Sequence, residues 1–137
     1  MAIQPVNPGT LFKIPGFHQV VISTGNKTIH IAGQGAYDSE MNLVGVGDYR
    51  AQTIKAFQNL ALALESVGAS PADVVSSHMF VKGLCPEVTS QFVEAMNVAL
   101  DGEPFPAYAS SLIGVEALAD PDMLVEISAV AVLEQHT

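Results

Sequence analysis

The sequence predicts an α+β domain in the order β-β-α-β-α-β-β, with two helices on one face of a mixed sheet. Three observations carry this. Two apolar stripes recur at helical spacing, β-rich runs lie before, between and after them, and glycine or proline marks nearly every boundary. The chain has 137 residues, which suits one domain spanning 1–137. Hydrophobic residues make up 49% and charged residues only 14%, so a packed core is expected rather than disorder. Charged side chains are the usual cover of a surface. Their scarcity points to apolar surface held in a subunit interface.

Residues 1–16 carry Pro5, Pro8, Gly9, Pro15 and Gly16 and read as an irregular lead-in. From Phe17 the pattern turns β. Val20 and Ile22 alternate with Val21 and Ser23, Gly25-Asn26 makes a turn, and Thr28–Ala32 is a second strand, together a hairpin signal. Gly33-Gln34-Gly35 ends that strand, and Gly45, Gly47 and Asp48 mark a loop. Asp48 is a good N-cap. Behind it Ile54, Phe57, Leu60, Ala61, Leu64 and Val67 form one helix face, and Gly68 supplies the stop. Asp73–Lys82 is β-rich and Gly83 breaks it. Pro86 and Glu87 suit a first helical turn, and Val88, Phe92, Ala95, Met96 and Ala99 give the second stripe. Gly102 and Pro104 end it. Tyr108–Val115 and Met123–Leu133 are the last strands, separated by a loop with Asp120-Pro121.

Fourteen acidic against five basic side chains give a net charge of −9. That balance argues against nucleic acid and against anionic membranes, because phosphate contacts need Lys and Arg. The cations Lys13, Lys27, Arg50, Lys55 and Lys82 are scattered. Cys85 stands alone, which excludes an intrachain disulfide and a Cys-cluster metal site. The start Met-Ala-Ile-Gln-Pro lacks the features of a secretory signal, and no run approaches the ~18 apolar residues of a membrane span. A cytoplasmic location is expected.

Glu126 is the first candidate for chemistry. It is the one ionisable residue between Met123 and Leu133. Strand alternation puts it on one face with Leu124, Ser128 and Val130. An unpaired carboxylate in a core costs several kcal/mol or becomes neutral, so Glu126 is expected at a cleft, an interface or a bonded partner, or at a wet strand edge. His18, His30, His78 and His136 show no metal-ligand spacing. His78 reads as a satisfied sheet histidine and His18 as a pocket wall. Cys85 has no adjacent base. Ser110-Ser111 lacks the nucleophile elbow. The Gly33 and Gly45 pairs do not extend into a nucleotide-binding fingerprint. No metal and no cofactor is expected.

Several segments together resemble the RidA/YjgF family. Ile31-Ala32-Gly33-Gln34-Gly35 resembles its "GQ" strand end, and Gln52 followed by Asn59-Leu60 its "Q-x(6)-N" helix. Gly68-Ala69-Ser70 with Asp73-Val74-Val75, then Phe80-Val81-Lys82, Phe105-Pro106-Ala107 and Val125-Glu126-Ile127 are similar to further family segments in order. The resemblance runs from about Pro15 to Val132. It implies a chorismate-mutase-like fold and a homotrimer whose sheets form a central barrel-like core, with small-molecule clefts between subunits. It also implies cofactor-independent hydrolysis of reactive enamines and imines, such as 2-aminoacrylate. In that chemistry an arginine binds the substrate carboxylate, while a glutamate and a backbone carbonyl hold the attacking water. The glutamate corresponds to Glu126.

The arginine does not carry over: after Pro106-Ala107 stands Tyr108. By the same resemblance the serine before Gly-Gln is Ala32, the N-terminal tyrosine is Phe17, and a helix asparagine is Gln91. Tyr108, Phe17, Ala32, Gln91 and Ala107 are thus the expected substrate-binding positions, with Glu126 catalytic. Lys82, Arg50 or a neighbouring subunit are the conceivable replacements for the lost charge. The expected function is an imine or enamine hydrolase with weak activity on carboxylated imino acids. The alternative is a non-catalytic metabolite-binding trimer. An endoribonuclease, a label some family members carry, fits the acidic charge least.

Overall fold

The computed structural model describes residues 2–134. Within them the strands are β1 (Ala2–Val6), β2 (Val20–Thr24), β3 (Lys27–Gln34), β4 (Val74–Lys82), β5 (Ala109–Val115) and β6 (Val125–Leu133). The helices are α1 (Tyr49–Glu65) and α2 (Pro86–Val98), and a 3₁₀ turn at Pro71–Asp73 leads into β4. The main sheet has four strands in the order β3-β6-β4-β5. It is mixed: β6 runs antiparallel to both neighbours, and β4 and β5 are parallel, joined by α2 as the crossover. The α+β class with two helices and a mixed sheet is the expected one.

Two local expectations are corrected. The lead-in is not wholly irregular, because Ala2–Val6 pairs antiparallel with β2. Pro5 sits in that strand, where a two-stranded ribbon leaves an edge that needs no N–H. The expected hairpin is absent as well. β2 pairs with β1, whereas β3 pairs with β6, in two separate sheets. The Gly25-Asn26 link passes over the end of β6 instead, where a Cβ on Gly25 would lie 2.5 Å from Val132.

Both helices cover one face of the main sheet. Val125, Ile127, Ala129 and Ala131 of β6 and Val74, Met79 and Val81 of β4 are buried with Phe57, Leu60 and Leu64 of α1 and Phe92 and Met96 of α2. Phe57 packs against Phe92 and Phe105, with ring centroids 5.8 and 5.1 Å apart. Asp48 caps α1 by accepting from the Ala51 N–H at 3.0 Å. The helix stops before Val67, and Gly68 turns the chain at φ 78°. Among the described residues the opposite sheet face carries no helix. Along β6 it presents Glu126, Ser128 and Val130, all half-buried, and along β4 the exposed His78 and half-buried Phe80. No helix among the described residues is long and apolar enough to cross a membrane.

Candidate active site

Strand alternation and register place Glu126. It pairs with Phe80 of β4, whereas Ile127 pairs with Met79. Glu126 and Phe80 therefore share the uncovered face, and Ile127 and Met79 the helix face. The Glu126 carboxylate lies against Gly33. A Cβ added to Gly33 would sit 2.6 Å from Cδ and from Oε1 of Glu126. Gly33 falls in the irregular step between Ile31 and Gln34, where the β3–β6 register shifts. Ala32 is exposed beside it, and its carbonyl accepts from the Gln34 amide at 3.0 Å. Tyr37 stands at the same end of the sheet. Burial and the neighbouring Asp120 carboxylate, which accepts its hydroxyl, raise its pKa above the ordinary tyrosine value, with Asp122 and Glu126 adding to the effect.

A largely apolar cleft lies on the other face. It encloses about 520 Å³, with Phe17, Met79, Phe92 and Leu112 among its walls and Asn97 and Ser110 as its polar members. No residue of its lining carries a charge. Phe17 is half-buried, forms an isolated bridge with Tyr108, and stacks on Phe12 at 5.9 Å. Met79 pairs with Leu112 across β4 and β5, so both point to the helix side. Within the chain Glu126 and this cleft are thus on opposite faces of the sheet.

Two of the expected substrate-binding residues, Tyr108 and Gln91, are not in the lining of this cleft. Tyr108 is 1% exposed. Its ring meets Phe105 edge-on at 5.8 Å and its hydroxyl donates to Met79 Sδ at 3.4 Å. Burial holds its pKa far above the ordinary value, opposed only by a hydrogen bond with Ser77. It is a core residue of the chain, because an uncharged ring can occupy an apolar interior that a guanidinium cannot. Gln91 is exposed. At about 100° per residue it falls on the flank of α2 opposite Val93 and Asn97, which line the cleft. Ala107 is half-buried just before Tyr108.

The cations do not reach the cleft lining. Lys82 Nζ donates to the Pro121 carbonyl at 2.9 Å, and Arg50 is exposed on the first turn of α1. His18 Nδ1 lies 3.2 Å from Asn7 Nδ2, and His18 flanks a shallow hollow shared with His78 and Ser111. Cys85 is exposed at the N-cap of α2. His136 lies outside the described residues. Among the described residues no group of three or more His, Cys, Asp or Glu is placed to hold a metal. Gly33, Tyr37 and Asn97 were not singled out from sequence as site residues. The Gly-Gln-Gly signal marked the strand end, but nothing local tied it to Glu126, which lies 93 positions away.

Residues 12–133 match the family described as Endoribonuclease L-PSP. The chain belongs to this Rid/YjgF/L-PSP family. A RutC family protein of Pyrococcus abyssi is 33% identical over 122 residues, covering 87% of this chain and 88% of the relative. Among solved structures, YyfB of the conserved Rid protein family from Yersinia pestis is similar at 36% identity and TM-score 0.85, covering 97% of this chain and 100% of that one. RidA from the Antarctic bacterium Psychrobacter is similar at 28% identity and TM-score 0.63, covering 94% of this chain and 93% of its own. The Rid fold accounts for the sheet order and for the two helices on one face.

Proposed function

We propose that this Rid family member is a cofactor-independent hydrolase of small imines or enamines whose reacting group carries no carboxylate. The observation that carries the reading is the pairing of Glu126, seated on Gly33, with an apolar cleft whose lining has no charged side chain. Water adds to the C=N carbon as Glu126 accepts its proton. That proton then passes to nitrogen, and the carbinolamine collapses to a carbonyl compound and ammonia. Glu126 and the cleft are on opposite faces of one sheet, so the reading needs a homotrimer in which one subunit's Glu126 meets a neighbour's cleft. The helix-free sheet face, bearing Phe80, Val130 and Glu126, supports such an assembly.

Imines bearing a carboxylate are poor substrates in this reading. The position that would bear the anchoring arginine is filled by Tyr108, inside the core. Loss of a bidentate carboxylate partner typically costs a few kcal/mol, about a hundredfold in binding. The net charge of −9 weighs against an RNA substrate.

Ammonia release from a panel of carboxylated and neutral imines tests this, with an arginine-bearing Rid protein as control. Turnover of a neutral imine, lost in Glu126→Ala, is the expected result. Turnover of carboxylated imines at the control's rate would overturn the substrate assignment. A second reading, a metabolite-binding trimer, is favoured by the buried Tyr108 alone. It predicts silence on every imine and a Glu126→Ala variant that changes only ligand affinity.

A further inference from the structure

We propose that Gln52 and Asn59 of α1 are positioning residues for Glu126. The claim rests on the reading above for the role of Glu126, but its geometry stands apart from that reading. The two amides are seven positions apart, hence on one face of the helix and about 10 Å apart along its axis. Each grips a different segment of the Glu126 site. Gln52 is fully buried. Its Oε1 accepts from the Leu124 N–H at 2.8 Å, and its Nε2 donates to the Asp122 carbonyl at 3.0 Å and to Gly45 at 3.1 Å. It therefore fixes the chain two residues before Glu126. Asn59 Nδ2 donates to the carbonyls of Gly35 and Tyr37 at 2.9 and 2.8 Å. It fixes the segment two to four residues after Gly33.

Glu126 and Gly33 meet where one partner is well held and the other is not: Glu126 pairs with Phe80 in the regular β4–β6 ladder, whereas Gly33 lies in the irregular step of β3. β6 begins only at Val125, and the β3–β6 register breaks between Ile31 and Gln34. Their closeness therefore depends most on what holds the segment after Gly33, which is Asn59, while Gln52 of the same helix adds to the β4 pairing that holds the Glu126 side. A relaxation of either grip would shift the carboxylate against the Gly33 backbone without touching it directly. Catalytic groups are sensitive to such shifts, since a displacement of about 1 Å can cost roughly a hundredfold in rate.

The test follows the Glu126 carboxyl itself. Full-length protein labelled with ¹³C at glutamate Cδ is compared by NMR at one fixed pH, with Glu126 assigned by its loss in Glu126→Gln. Asn59→Ala is compared with Gln58→Ala. Gln58 lies next to it on α1 and donates instead to the Ala99 carbonyl at 3.4 Å. In Asn59→Ala the Glu126 carboxyl resonance should move while the other glutamate resonances stay in place. Turnover of the best imine should fall tenfold or more, roughly, with KM nearly unchanged. Gln58→Ala should change thermal stability and neither of these. Should Asn59→Ala not fold, Asn59→Ser serves, because its hydroxyl is too short to span both carbonyls. An unmoved Glu126 resonance, or an equal displacement in Gln58→Ala, overturns the proposal. A wild-type protein silent on all imines overturns the hydrolase reading, and the Glu126 resonance still decides the positioning role.

Discussion

Replacing Tyr108 by arginine restores, on paper, the residue that the family resemblance places after Pro106-Ala107. The structure predicts that the restoration fails. Tyr108 is 1% exposed, packs edge-on against Phe105, and places its hydroxyl on Met79 Sδ. No carboxylate is among these neighbours, so a guanidinium there would be a buried charge without a partner. The desolvation cost is several kcal/mol after relaxation, and the lost aromatic packing adds a further 1 kcal/mol or so. A total of about 4–6 kcal/mol is a large share of the 5–15 kcal/mol typical of a domain. At about 3–5 °C per kcal/mol for a domain of this length, Tm should fall by more than ~12 °C. Calorimetry or circular dichroism of Tyr108→Arg measures it, and Tyr108→Phe should stay within about 1 kcal/mol of wild type. Ammonia release from a carboxylated imine should not appear. A Tyr108→Arg protein with nearly native Tm and new activity on carboxylated imines would refute the reasoning, because it would place the side chain at 108 in an open cleft.

The remaining predictions concern other parts of the molecule. Burial raises the Tyr108 pKa, so above about pH 10 the unfolded state loses a phenolic proton that the folded state keeps. Stability is then fully present below pH 10 and falls as pH rises further. Denaturant titrations between pH 9 and 11.5, values chosen to span the ordinary tyrosine range of about 10, should show a shallower fall in Tyr108→Phe. Gly33→Ala puts a Cβ 2.6 Å from the Glu126 carboxyl, which should cost about 1–3 kcal/mol by denaturant unfolding and displace the carboxylate. If the Glu126 carboxyl resonance is the same in that variant, the assigned seat is wrong. Asp48→Ala removes the α1 cap and should cost about 1 kcal/mol, with a lower denaturation midpoint and an unchanged m-value.

Much of the fold was legible because it rests on local periodicity. Of the α1 stripe, Phe57, Leu60 and Leu64 are buried, Ile54 and Ala61 half-buried, and Val67 exposed beyond the helix end, whereas Val88, Phe92, Ala95 and Met96 of the α2 stripe are all buried. Alternation in β6 placed Glu126 on the face with Ser128 and Val130, away from the core residues Val125, Ile127 and Ala129. Prolines misled the reading of residues 1–16, because Pro5 is compatible with a strand that pairs on one side only. The Gly-Asn turn misled it as well, since a turn residue marks a reversal but not which strand receives the returning chain.

What the sequence by itself determined is the class, the two helices, the face of Glu126, the acidic balance and the absence of an arginine after Ala107. These are properties of spacing and residue type within about a dozen positions. What only the tertiary structure decided is partnership across the chain. It joined β1 to β2 and β3 to β6, seated Glu126 on Gly33, turned Tyr108 into the core, and put Gln91 on the flank of α2 away from the cleft. A side chain's direction follows from its own element, whereas what it meets depends on how distant elements pack. The bonds from Gln52 to Asp122 and Leu124 span 70 and 72 positions, far beyond any local pattern.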